Sequence, residues 1–82
     1  MFERGDNMNN KRRTRLKRAK SYIDVAFSIV EEVSEEEQNC LENFPDGIKN
    51  GDRGSQMKDN LDVLCRISEG LQNAVEEIDR II

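Results

Sequence analysis

Residues 43–57 read NFPDGIKNGDRGSQM, and they hold three of the chain's five glycines and its single proline. Residues 10–42 contain neither kind of breaker, and residues 58–82 contain only Gly70. Proline lacks the amide hydrogen that a helix interior needs and forces the preceding residue out of the helical region. A helix approaching Pro45 therefore stops there. Two long uninterrupted segments around one dense cluster of breakers leave little choice of architecture. The expectation is all-α: a helix over about residues 10–43, a loop over 44–54, and a helix over about 55–81. Each helix is about 40–50 Å long at about 1.5 Å per residue. A connection of about ten residues turns the chain back into an antiparallel two-helix hairpin. Gly47, Gly51 and Gly54 are expected to supply left-handed or tight backbone in the turn. Ser55 is the expected N-cap of the second helix, with Asp59 favouring its dipole. Gly70 either permits close helix approach or is an exposed position of no consequence. Residues 1–9 show no periodicity and are expected to form a flexible tail, with Asn9 or Asn10 near the first cap.

Periodicity supports both helices. In the first, Leu16, Ala19, Ile23, Ala26, Val30 and Val33 alternate spacings of three and four, and the series continues through Glu37, Cys40 and Phe44. That is a heptad stripe with one acidic interruption. Tyr22, Val25, Phe27, Ile29 and Leu41 lie off it, so the apolar surface is wider than a two-stranded coiled coil needs. In the second, Met57, Leu61, Leu64, Ser68, Leu71 and Val75 lead to Ile78 and Ile82 on the same rule. Ile67, Ala74 and Ile81 widen that face. A two-helix chain of 82 residues has a small core and leaves the outer parts of both faces exposed. The expected remedy is a homo-oligomeric helical bundle, a dimer or a tetramer, built from one helical-hairpin domain over residues 10–82.

The residue inventory restricts the chemistry. There is no histidine, hence neither the commonest general base nor the commonest metal ligand. Glu32 and Glu36 share a helix side, but a carboxylate-bridged site of the ferritin type also needs a Glu-x-x-His motif. Neither a catalytic constellation nor a cofactor is expected. Cys40 and Cys65 fall inside helical patterns and read as reduced thiols of a cytoplasmic protein. No apolar run is long enough to span a bilayer, and no signal-peptide core follows the basic N-terminal residues.

Charge is strongly segregated. Residues 11–20, KRRTRLKRAK, hold seven basic residues and no acidic one, whereas residues 21–82 hold five basic and fifteen acidic residues. Cations at a helix N-terminus oppose the helix dipole and repel one another, so something must offset them. One reading is internal: in a hairpin the run lies beside Glu76, Glu77 and Asp79. The other is an anionic ligand, since arginines beside helix N-terminal amides make a phosphate site. The acidic remainder argues against duplex DNA. Tyr22 either stacks on a base or packs in the bundle. Arg53 is either a second anion contact or a stabiliser of the turn. EEVSEEE, residues 31–37, reads as a solvated face, with Glu37 placed to pair with Arg53 or Lys58.

The pieces KRRTRL (11–16), SEEEQNCLENFPDGI (34–48) and DRGSQMKDNLDVL (52–64) together resemble small helical proteins of tailed phages and prophages. Size, helicity and expected oligomery also resemble the phage anti-CBASS sponges, which sequester cyclic nucleotide signals without hydrolysing them. That resemblance implies a host-defence antagonist in the cytoplasm of an infected bacterium. It would bind a cyclic dinucleotide through Arg12, Arg13, Arg15 and Lys17, with Tyr22 near a base and Arg53 reaching over from a neighbour. The alternative is an oligomeric protein-binding module, acting in one version as an acidic mimic of nucleic acid that inhibits a host enzyme.

Overall fold

The computed structural model describes residues 9–82, so the tail expected over residues 1–9 lies, apart from Asn9, outside the described residues. Among the described residues every element is a helix: α1 spans Asn10–Glu42, α2 spans Asp46–Lys49 and α3 spans Asp52–Ile81. No helix among them is long and apolar enough to cross a membrane.

α1 begins at a side-chain cap. The Asn9 carboxamide oxygen accepts from the Arg12 backbone N–H at 2.9 Å, and the Asn9 carbonyl accepts from Arg13 N–H at 3.1 Å. These bonds satisfy amides that would otherwise have no partner at the helix start. The first turn has no acidic residue and the last turn has no basic one, so the charges run against the dipole at both ends. α1 stops at Glu42, with Asn43 as C-cap and Pro45 in an extended conformation (φ −58°, ψ 153°).

The segment expected as a loop is mostly helical. Pro45 starts α2, accepting from Ile48 and Lys49 N–H at 3.0 and 2.9 Å. Proline suits this place because the first amides of a helix have no carbonyl partner. α3 then opens at Gly51, whose carbonyl accepts from Ser55 N–H at 3.0 Å. Ser55 is thus inside the first turn rather than at the cap, and Asp52 supplies the acidic residue favoured there. Among the described residues no glycine adopts a positive φ, which corrects the expected left-handed turn. Gly54 is needed for close approach instead. A Cβ there would lie 1.8 Å from the Lys49 carbonyl oxygen and 2.5 Å from its carbon. Gly70 has nothing within 4 Å of the corresponding point, so in the single chain it is the exposed position of no consequence.

α1 and α3 lie side by side and run in opposite directions. Lys20 Nζ sits 2.6 Å from Asp79 Oδ1, Ser68 Oγ donates to Glu31 Oε2 at 2.8 Å, and Arg53 stacks over the Phe44 ring at 5.6 Å. Along this series the numbers rise on α1 as they fall on α3. The α3 seam follows the expected stripe from Met57 to Ile82, every member being buried or half-buried, and Gly54 extends it. The α1 seam departs from expectation. Leu16, Ile23, Val30, Glu37 and Phe44 are half-buried, as are Ala19 and Ala26, but Val33 and Cys40 are exposed. Ser34 and Leu41 take their places, and Leu41 is the most buried apolar side chain at 7% exposure. A helix of 3.6 residues per turn drifts by about 20° per heptad, which carries the contact to the next residue along the chain. The core is thin: among the described residues no large side chain is fully buried.

Candidate interaction surfaces

Successive helix residues are turned by about 100°, so the seam fixes what each flank of the helix pair presents. On one flank, Asp24, Glu31, Glu35 and Gln38 of α1 face Glu69, Gln72 and Glu76 of α3 across shallow grooves that Phe27, Leu61, Leu71 and Val75 also line. Cys65 also lines one of them. Ser68 is buried beneath it at 7% exposure, and its bond to Glu31 pins the register of the two helices.

The reverse flank is apolar. On α1 it carries Tyr22, Ile29 and Val33, with Val25 further round, and their exposures are 68%, 53%, 41% and 58%. On α3 it carries Val63, Ile67, Ala74 and Ile81, of which Ala74 alone is half-buried. Cys40, Gln56 and Asn60 continue the same flank to the turn, where Phe44 and Arg53 close it. Isolated exposed apolar residues are ordinary, but a continuous stripe from both helices on one side is a surface of a different kind.

The candidate ligand residues divide between the two ends. Arg12, Arg13, Arg15 and Lys17 lie in the first two turns of α1. The observed register sets Ile82 opposite residue 17. Glu76 and Glu77 fall opposite residues 23 and 22, past the basic run, while Lys20 at the inner end of the run pairs with Asp79. Arg12, Arg15 and Lys17 are exposed and Arg13 is half-buried. Tyr22 lies on the apolar flank. Arg53 is about 40 Å from Lys17 along α1, so one chain does not bring it to the others.

Arg53 makes a contact at the turn, where it was expected either as an anion contact or as a stabiliser of the turn. Its guanidinium lies on the Phe44 face as a cation–π contact, and Glu37 makes no ion pair with it or with Lys58. The adjacent Gly54 lets α2 fold down on α3. The Arg-Gly step is thus structural in this chain: one residue stacks on the end of α1 and the next makes room for α2. Phe44, Pro45 and Arg53 were the available signal, since an aromatic stranded before a proline needs a cover. Among the described residues no group of three potential ligands is placed to hold a metal ion, and the Glu32 and Glu36 pair gains no third member.

Comparison with protein-family models, curated proteins and solved structures finds no match for this chain.

Proposed function

We propose that the protein is a non-catalytic assembly and binding module, an antiparallel helical hairpin that self-associates into a helical bundle through its apolar flank. The observation that carries this is the joint exposure of Tyr22, Ile29 and Val33 with Val63, Ile67 and Ile81 on one side of the helix pair. Burying such side chains contributes about 1.5–3 kcal/mol each for full burial. The thin intramolecular core gives the chain a large fractional gain from doing so. Assembly through this flank leaves the acidic groove of Asp24, Glu31, Glu35, Glu69 and Glu76 facing outward. A basic partner protein, including a nucleic-acid-binding enzyme, is the class of target that such a surface fits. The test is solution mass by sedimentation equilibrium. The wild type is expected at a multiple of its 9.5 kDa chain mass at micromolar concentration. Ile29→Asp with Ile67→Asp is expected to be monomeric. A wild type that stays monomeric refutes the reading.

The basic run at the start of α1 favours a second reading, capture of a phosphorylated ligand such as a cyclic dinucleotide. Arg12, Arg15 and Lys17 of that run are exposed. Calorimetric titration with a panel of cyclic dinucleotides tests it. Saturable binding lost in Arg12→Glu with Arg15→Glu, at unchanged helicity, supports this reading. Absence of heat with every member of the panel eliminates it.

A further inference from the structure

We infer that the occupant of the apolar flank is a second copy of this chain running antiparallel to the first, so that each basic end lies on the partner's acidic end. This rests on the self-association proposed above and adds a partner orientation to it.

Two features bear on the arrangement, and the second selects it. The first is the extent of the exposed stripe. Tyr22, Ile29 and Val33 on α1, with Val63, Ile67, Ala74 and Ile81 on α3, run along much of the helix pair. A two-fold axis near Ile29 lays most of the stripe on its own copy.

The second feature is charge. Residues 11–20 carry seven basic residues and no acidic one, while residues 35–62, around the turn, carry eight acidic and three basic residues. The two regions lie at opposite ends of the helix pair. A parallel dimer gathers both basic ends together and both acidic ends together. An antiparallel dimer sets each against its complement, and like-charge juxtaposition is what excludes the wrong alignment in paired helices. On the apolar flank the basic margin is Arg15 and Arg18, and the acidic margin is Glu36 with the half-buried Glu37. The same pairing sets acidic residues against cations that oppose the α1 dipole.

The native thiols report the orientation. Cys40 is exposed on the apolar flank and Cys65 lies in the groove on the reverse side. With the axis near Ile29, Cys40 of one copy approaches position 18 of the other, far from the partner's Cys40. The experiment uses the full chain carrying Cys65→Ser, with and without Arg18→Cys, treated with a short thiol-specific cross-linker. Sedimentation first confirms that both chains are dimeric. Without Arg18→Cys, little covalent dimer is expected. With it, most of the protein is expected as covalent dimer, and peptide mapping is expected to join position 18 to Cys40.

Efficient cross-linking through Cys40 alone means a parallel pair and overturns the inference while leaving self-association intact. A dimer by mass that cross-links in neither variant overturns it too. A monomer by mass refutes self-association itself, which separates the two failures.

Discussion

Two glycines in similar helical surroundings have opposite roles, and their substitution measures the difference. Gly54 and Gly70 both lie in α3 with ordinary helical backbone. Alanine at either gains about 1 kcal/mol of helix propensity. In the single chain that gain stands alone at Gly70, because beyond its own helical turn no atom lies within 4 Å of the added methyl group. At Gly54 the methyl group meets Lys49 backbone at 1.8 Å, and backbone cannot rotate away as a side chain can. α2 must lift from α3, with an overpacking cost of about 1–3 kcal/mol or more. Gly70→Ala is therefore expected to raise stability by about 1 kcal/mol, and Gly54→Ala to lower it by about 2 kcal/mol. Urea unfolding followed by helix signal checks both. Equal effects of the same sign would show that α2 does not pack on α3 as described.

At the scale of the element, long-range periodicity was legible and local detail was not. The α3 stripe from Met57 to Ile82 could be read directly, because its large apolar residues fall at one consistent spacing. In α1 the 3-4 and 4-3 alternations share Leu16, Ile23, Val30, Glu37 and Phe44. The choice between Cys40 and Leu41 then depends on how far the helix has drifted, a quantity spread over the whole length of α1. The turn was obscured differently. Each glycine in NFPDGIKNGDRGSQM is compatible with a left-handed turn, with a helix start or with close packing. Gly51 proved to be a cap and Gly54 a contact, distinctions that exist only once α2 has somewhere to pack. The site residues fall between these cases. The basic run was plain in the sequence, but its place relative to α3 depends on register, which Ser68 with Glu31 and Lys20 with Asp79 set across the helix pair. The Arg53 stack on Phe44 needed the path of the turn and had no periodic signature.

For the whole molecule the decisive property is the direction of its charge, and reversing one end predicts how assembly responds. Reversal at the basic margin, Arg15→Glu with Arg18→Glu, puts acidic residues in the early turns of α1. There they favour the helix dipole, so the folded chain is not expected to lose helicity. In an antiparallel pair the same change meets the partner's acidic end twice, once at each end of the dimer. Exposed ion pairs contribute about 0.2–1 kcal/mol each, so losing several and gaining repulsion weakens assembly by about tenfold or more. Adding Glu36→Lys and Glu37→Lys to the same chain restores opposite charges at both contacts and is expected to recover most of the affinity. In a parallel pair neither step behaves this way: like charges face each other before and after each exchange, and affinity stays nearly constant. Salt provides the same separation without mutation. Between low and physiological ionic strength, screening weakens an assembly held partly by attraction and strengthens one opposed by repulsion. Sedimentation equilibrium on the wild type, the double variant and the fourfold variant across a salt series distinguishes the two pairings. A loss of affinity in the double variant that the fourfold variant does not recover would show that charge at the two ends does not act between them.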